Sequence, residues 1–479
     1  MNNNETAEFD YVIVGAGSAG CVLANRLSAD GKHSVLLLEA GPKDSNIWIH
    51  VPIGYGKLFK EKAVNWMYQT EPEPGLNGRQ VFQPRGKVLG GSSSINAMVY
   101  IRGHRADYDH WASEGNAGWS FDDVLPYFKR SENNERGADA FHGTGGPLNV
   151  RDLTSPNPVS PMFVEAGRQA GYPINNDFNG PQQEGVGMHQ VTHRNGERFS
   201  AAKGYLTPHL GRPNLHVITG ATVARILLEQ KRAVGVEYHQ DGVVKQLRCA
   251  REVLLCAGAI QSPQILMLSG IGPHAHLLEN GVATLHDLPG VGQNLHDHPD
   301  VVLVTHAPAL TDLFGLTLGG AFKAVKGILE WRRQRTGMLT TNFAEAGGFI
   351  KSQPSEPIPD LQLHFVIGKL VNHGRTPAYG YGYSCHVCLL RPASRGSIRL
   401  AGKDPAAAPL IDPNFLGERD DVQRMIRGFR QVRQIMAQSA LASHGGRESD
   451  ASAGAQTDLQ IEQFIRDHAD TIYHPVGSC

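Results

Sequence analysis

Residues 10–39 read DYVIVGAGSAGCVLANRLSADGKHSVLLLE, and their pattern decides how the chain begins to fold. An apolar run from Tyr11 to Val14 is followed by Gly15, Gly17 and Gly20, then by an amphipathic segment and a second apolar run, Ser34 to Leu38. That order predicts strand, tight turn, helix and strand, with the glycines in G-x-G-x-x-G spacing. The three glycines differ in what they allow. Gly15 makes the turn, Gly17 lets the backbone approach a pyrophosphate, and Gly20 lets helix and strand pack closely. The helix start at Ser18 and Ala19 offers free N–H groups and the positive end of the helix dipole to phosphates. Glu39, followed by Ala40, lies just past the second run, near the ~20-residue spacing at which a carboxylate takes hydrogen bonds from ribose hydroxyls. These features predict a dinucleotide site, and the acidic Glu39 argues against a 2′-phosphate, hence against NADP.

The motif by itself leaves NAD and FAD open. An NAD enzyme would continue in quick βα alternation. Residues 46–104 are instead loop-rich, NIWIHVPIGYGKLFKEKAVNWMYQTEPEPGLNGRQVFQPRGKVLGGSSSINAMVYIRGH, which suits a cofactor covered by a long lid.

Composition narrows the remaining classes. With 479 residues and 41% hydrophobic content the chain can bury a large core, and its length predicts about two to three domains. Lys and Arg number 45 against 46 Asp and Glu, so no long-range field draws nucleic acid or an anionic membrane. A small polar or neutral substrate fits better. The start, MNNNETAEFD, is polar and acidic where a secretory leader would be basic and then apolar, and no run reaches the ~18 apolar residues of a membrane span. The sequence therefore reads as cytoplasmic, with membrane contact at most peripheral. The six cysteines, at 21, 249, 256, 385, 388 and 479, are too scattered for a disulfide framework. Cys385 and Cys388 form a lone CxxC inside a strand-like run, where positions three apart face opposite sides, so we expect two buried thiols rather than a zinc site.

Five separated stretches give the chain its resemblance. They are the glycine unit, GKVLGGSSSINAMVY (Gly86 to Tyr100), GAIQSPQILMLSGIG (Gly258 to Gly272), GVGQNLHDH (Gly290 to His298) and the terminal YHPVGS. Together they are similar to the glucose–methanol–choline (GMC) flavin oxidoreductases, in particular the bacterial FAD-dependent alcohol and choline dehydrogenases, over essentially the whole chain. The resemblance implies an α/β fold, α+β overall: a Rossmann-like FAD-binding domain with an antiparallel-sheet substrate domain. The first would take residues 1–155, 190–298 and 455–479, the second residues 156–189 and 299–454.

It also implies site residues. The GGSSSIN stretch lies along the flavin in the family, which makes Arg85, Val88, Gly90, Gly91, Asn96, Ala97, Met98 and Val99 cofactor residues, with Trp66 beside them. Ser93 and Ser94 read equally well as ordinary turn residues. Where some members bond the flavin through a histidine just before the Asn, this chain has Ile95, so FAD is expected to be held non-covalently. ITGATVARILLE (Ile218 to Glu229) resembles the strand pair over the adenine, with Val223 as contact. Val253 to Cys256 reads as a strand, Ala257-Gly258 as a turn close to the cofactor, and the helix as starting near Ser262. His296, Asp297 and His298 look like a metal cluster, but three consecutive side chains do not converge on one ion, and we assign no metal ligand.

The alternating runs VVLVTHA, LQLHFVIG, GYSCHVCLLRP and RGSIRLAG between about Pro299 and Ala408 predict an antiparallel sheet, matching the family's substrate domain. By resemblance His364 is an active-site histidine and Glu345 a substrate residue. His474, stiffened by the turn Pro475 to Gly477, is the catalytic base, since a histidine can accept a proton near neutral pH. The family pattern continues past Cys479, where the resemblance implies a last sheet strand, a helix near the flavin and a second His or Asn beside His474. The expected activity is oxidation of a primary alcohol, aliphatic or choline-like, to an aldehyde, with a small-molecule alcohol as substrate and a quinone- or dye-type electron acceptor. An oxidase of aromatic or furanic alcohols, or an inactive FAD-binding fragment, are the alternatives.

Overall fold

The structure, a computed structural model, describes residues 8–479, and for residues 318, 321 and 322 the backbone alone. The opening unit forms as its pattern requires: β1 (Glu8–Val14), α1 (Ser18–Leu27) and β2 (Val35–Glu39). After a loop-rich stretch come α2 (Ser160–Gln169) and β3 (Gly185–Met188). Next are β4 (Leu215–Thr219), then β5 (Thr222–Glu229), β6 (Arg232–Gln240) and the long β7 (Val243–Leu255), which feeds α3 (Gly258–Leu268). The further elements that position the site are β8 (Pro299–His306), β9 (Ala344–Ile350), β10 (Leu361–Val366), β11 (Gly382–Leu389), α4 (Arg419–Met436), β12 (Arg447–Glu448), α5 (Asp458–His468) and β13 (Asp470–Thr471).

The first sheet has the order β4-β2-β1-β7-β6-β5. Its β4, β2, β1 and β7 run parallel, while β7, β6 and β5 form an antiparallel meander. Both faces of the parallel part are covered, which is why its strands read as unbroken apolar runs. Val12, Val14, Leu36 and Leu38 pack against the meander through Val223, Val236 and Leu247, whereas Ile13, Val35 and Leu37 pack against Cys21 and Ala24 of α1. Each such side chain taken out of water stabilises the fold by about 1.5–3 kcal/mol. The stretch expected to form a strand pair over the adenine is divided: β4 ends one edge of the sheet and β5 the other, because β5 pairs with β6 and folds back over the face.

The second sheet runs β12-β8-β11-β10-β9-β3, with β13 pairing onto the start of β8. Its two faces differ, as period-2 alternation predicts. Val301, Leu303, Leu361, Leu363, Phe365, Cys385 and Val387 point into a core closed by Phe163 of α2, by Ile426 and Phe429 of α4 and by Ile461 and Ile465 of α5. The opposite face carries Gln362, His364 and His386. Two expectations need correction here. The run RGSIRLAG does not join this sheet; Gly396–Arg399 pairs with Gln293–Leu295 and Leu410–Asp412 in a separate three-stranded sheet. And α3 begins at Gly258, four residues before Ser262, since Gly258 at φ +77 is the turn and the first helical residue at once.

Candidate active site

Three glycine-rich segments meet backbone to backbone at the end of β1. Gly90 donates its N–H to the Ala16 carbonyl at 2.8 Å. A Cβ on Gly91 would come within 2.7 Å of the Gly17 Cα, one on Gly15 within 2.7 Å of the Cys256 carbonyl oxygen, and one on Gly20 within 1.9 Å of the Gly15 oxygen. Gly17 and Gly258 face open space instead. The start of α1 has no side-chain cap and no acidic residue in its first turn, and Ser18 and Ala19 are exposed. Glu39 is buried, and its two oxygens accept the N–H groups of Ala16 and Gly41, both at 2.9 Å. Burial pushes its carboxyl up to about 7 against those two donors. With one lone pair per oxygen still available, it can accept further hydrogen bonds. Backbone donors, glycine clearance and one carboxylate in this order fit an FAD pyrophosphate and ribose.

The GGSSSIN segment continues from this meeting point into a cavity of about 1230 Å³ lined by Arg85, Asn96, Ala97, Met98 and Val99. Asn96 is fixed by a residue that sequence reasoning missed: the fully buried Arg198 donates from Nη1 to Asn96 Oδ1 at 2.7 Å and to the Ser93 carbonyl at 3.1 Å. Of the other expected cofactor residues, Ala40 follows Glu39 at the end of β2, and Ala257 caps α3. The side chain of Val88 is wholly buried among Ile49, Leu58 and Ile95, and that of Val223 belongs to the meander core. Trp66 stacks on Tyr68 outside the cavity lining.

The second sheet roofs this cavity. His364 is buried, has no hydrogen-bond partner on either ring nitrogen, and lies edge-to-face against His189 and His386, at 5.5 and 6.3 Å between centroids. Burial holds it far below the ordinary histidine value, and holds His189 down at about 4. His474 projects from below. Its backbone N–H donates to Asp297 Oδ1 at 2.8 Å, and Asp297 also accepts Gln83 Nε2 at 3.1 Å and the Thr471 hydroxyl. Val476 and His296 exchange N–H···O bonds of 2.9 and 3.0 Å, and Arg85 Nη2 donates to the Tyr473 carbonyl at 2.5 Å. The stiff turn inferred from Pro475 to Gly477 is thus clamped: Gly477 sits at φ +101, where a Cβ would meet the Asn294 oxygen at 2.3 Å.

His474 Nδ1 lies 3.3 Å from His298 Nδ1, with the rings at 80°. His474 is open to the cavity, yet desolvation by the protein packed around it lowers its pKa, with Asp297 pulling it back up and Arg85 adding to the depression. Burial and the neighbouring His474 take His298 down to about 3. Two neutral imidazoles so placed share one proton between their Nδ1 atoms. His298 was visible only as the end of an HDH run; its position at the head of β8, beside β13, is what brings it to His474.

Glu345 is not brought to the cavity. A β-bulge between Ala344 and Ala346 turns it out of the ladder. Its carboxylate, fully buried, accepts the Thr341 hydroxyl at 2.6 Å, the Asn157 N–H at 2.6 Å and the Ser160 hydroxyl at 2.8 Å. The substrate role expected for Glu345 is replaced by that of a strut between β9 and the loop before α2. The CxxC pair does divide between faces: Cys385 lies in the core and Cys388 Sγ reaches Asp300 Oδ1 at 3.3 Å. Asp300, His373 and His386 bring their ligating atoms within 4.8 Å of one another, a grouping not visible in the sequence.

Comparison with known proteins agrees with this geometry. The family model described as GMC oxidoreductase matches residues 9–300 in its N-terminal form and residues 392–479 in its C-terminal form. The chain is 48% identical to the alcohol dehydrogenase [acceptor] of Pseudomonas putida, across 98% of this chain and 86% of that one. It is 44% identical to the mitochondrial choline dehydrogenase of Mus musculus, across 98% and 80%. Among solved structures, pyridoxine 4-oxidase from Mesorbium loti superposes with a TM-score of 0.86 at 31% identity, covering 98% of this chain and 88% of that one.

Proposed function

The chain belongs to the GMC oxidoreductase family, and from that premise we propose that it is an FAD-dependent alcohol dehydrogenase in which His474 takes the hydroxyl proton of a primary alcohol. The observation that carries this reading is a neutral histidine, clamped by Asp297 and His298, facing a cavity that also exposes the GGSSSIN segment. FAD, when bound, supplies the hydride acceptor. The residues that would hold it are Ser18, Ala19 and Glu39 for the pyrophosphate and ribose, and Arg85, Asn96, Ala97 and Val99 for the ring end. Ile95, buried in a small apolar core, has no group that could bond to it, so FAD is held non-covalently.

For His474 to accept a proton on Nε2, its own proton must sit on Nδ1 and be donated to His298 Nδ1. His298 thereby fixes both ring orientation and tautomer. In this reading His364, neutral and without a hydrogen-bond partner in the cavity wall, offers the alcohol oxygen a second imidazole once its ring turns to expose a nitrogen. The described residues up to 155 with 190–298 form the cofactor domain in this reading, and residues 156–189 with 299–454 the substrate domain. Residues 455–479, expected with the cofactor domain, divide, because Ile461 and Ile465 of α5 pack in the second core. Asp470 to His474 serve both, because β13 pairs with β8 of the second sheet while the Tyr473 carbonyl accepts Arg85 and the His474 N–H donates to Asp297.

The acceptor in this reading is a quinone or dye-type molecule, and the site of action is cytoplasmic with peripheral membrane contact at most. Among the described residues no helix is long and apolar enough to cross a membrane. Val325, Ile328 and Leu329 are exposed on the helix Leu318–Gln334 together with Lys326, Arg332 and Arg333, which supports peripheral contact. The test is anaerobic: the yellow holoprotein should bleach on addition of primary alcohols, and denaturation should release all its flavin into solution. A flavin that stays oxidised with every alcohol would overturn the activity, and a flavin that precipitates with the protein would overturn non-covalent binding.

A further inference from the structure

The cavity wall says which alcohols can enter. A quaternary ammonium group has no N–H to donate, so it is held by an accessible anion or by open aromatic faces. The charged side chains lining the cavity are Arg85, Arg102, Lys369, Arg391 and Arg395 against one carboxylate, Asp107. Asp107 is already forked by Arg391, Nε to Oδ1 at 2.6 Å and Nη2 to Oδ2 at 2.9 Å.

The carboxylate beside the His474–His298 pair, Asp297, is buried, does not line the cavity and is taken up by Gln83, the Thr471 hydroxyl and the His474 N–H. The next one along the chain, Asp300 at the head of β8, is shut away as well. It is fully buried and does not line the cavity, whereas His373 and His386 do. Oδ2 accepts His386 Nδ1 at 2.5 Å and has His373 Nδ1 at 3.6 Å; Oδ1 has Cys388 Sγ at 3.3 Å. A cation entering the cavity meets two imidazole rings where it would need oxygen atoms. The aromatic rings of the wall pack on one another; Trp111, part of the lining and half-exposed, meets Tyr108 and Trp119 edge-to-face at 79° and 63°. Tyr55 meets Phe59 and Phe343 edge-to-face at 81° and 77°, and Phe314 is tilted against Phe343 at 58°, arrangements that use up ring faces.

We propose that Asp300 is a cation site held closed by His386 and His373, so that the enzyme oxidises uncharged alcohols and rejects quaternary ammonium alcohols such as choline. This rests on the reading of the cavity as an alcohol-oxidising site.

Choline and its uncharged isostere 3,3-dimethylbutan-1-ol separate charge from shape. With purified holoenzyme and an artificial acceptor, kcat/KM should favour the isostere by at least about 100-fold, a discrimination of the size an unpaired buried charge produces. Titration of the bound-flavin spectrum under anaerobic conditions should show binding of the isostere at concentrations where choline has no effect. Asp300→Asn should leave the ratio unchanged, because the carboxylate is not in use. His386→Phe, which removes the cap, should shift the ratio toward choline by about 10-fold or more. Equal or better use of choline by the wild type, or loss of choline binding on Asp300→Asn, would overturn the proposal while leaving alcohol oxidation intact. A ratio altered by EDTA would put an ion in place of the imidazole caps and overturn it too. Failure of every alcohol to reduce the flavin would count against the activity; the spectral titration would still decide between choline and its isostere.

Discussion

The two sheets bring different materials to one cavity. At the end of the parallel sheet the site is made of backbone: Gly15, Gly17, Gly20, Gly90 and Gly91 approach one another so closely that a methyl group on most of them would strike main-chain atoms. On the antiparallel sheet the site is made of side chains: His364 and His386 on one face, with His298 and Asp300 at the head of β8. A backbone site has little room for added atoms at Gly15, Gly20 and Gly91, and its donors carry no charge state. A histidine site keeps its shape through many substitutions but depends on where each proton sits. The two halves should therefore fail in different ways, and the following changes test that contrast from the largest effect downward.

Gly20→Ala places a methyl carbon about where the Gly15 oxygen stands, 1.9 Å away. We expect the flavin-to-protein ratio of the purified variant to fall near zero, with a lowered melting temperature by circular dichroism. Stoichiometric flavin would show that the glycine turn can open, and would blur the contrast. His474→Ala should do the reverse: full flavin content, with the rate of flavin reduction down by about 10²–10⁴-fold, the range for a lost general base. Stopped-flow reduction within a few-fold of wild type would remove His474 from its role.

His298→Ala should cost about 10–100-fold, as expected when a base loses its orientation rather than its identity. His298→Asn, whose Oδ1 can accept the His474 Nδ1 proton, should recover part of that. Equal losses in both variants would mean that His298 is merely structural.

The pH profile follows from the same desolvation. His474 must be neutral to accept a proton, and its pKa lies below the ordinary histidine value. The acid limb of kcat/KM should therefore fall below pH ~6.5, with a plateau above it. Stability has the same sign. His189 and His193 are depressed to about 4 and about 3 by burial. The unfolded chain takes up their protons below pH ~6.5, so their contribution is complete above that pH and declines as pH falls toward 4 and 3. Glu39, raised to about 7, contributes with the opposite sign over this range, so the comparison is between wild type and His193→Gln: a stability difference that does not shrink on acidification from pH 7 to 5 would contradict this. The smallest catalytic effect belongs to Glu345→Gln, which should lower stability by about 1–3 kcal/mol while leaving flavin reduction within about 3-fold of wild type. A large kinetic loss at full stability would return Glu345 to the substrate site.

How much of this could be read beforehand differs between the halves for the same reason. The glycine turn, Glu39 and the first helix are local: their meaning lies in residues within one supersecondary unit, and the spacing of Gly15, Gly17 and Gly20 has few other physical uses. The alternation in LQLHFVIG likewise predicts the strand that carries His364, while the choice of His364 as a site residue came from the family resemblance. Glu345, assigned to the substrate side by resemblance, escaped because a single bulged residue between Ala344 and Ala346 re-aims it, which no local pattern announces.

By itself, then, the sequence determined a dinucleotide-type entry, an antiparallel second sheet and a histidine on a stiff terminal turn, because periodicity and turn chemistry are encoded by neighbours in the chain. The tertiary structure alone decided that His298 stands against His474, that Arg198 holds Asn96, and that Asp300 is sealed behind His373 and His386. Those pairs are separated by 176, 102 and up to 86 positions, and only strand register and the closing of one sheet over the other bring them within hydrogen-bond reach.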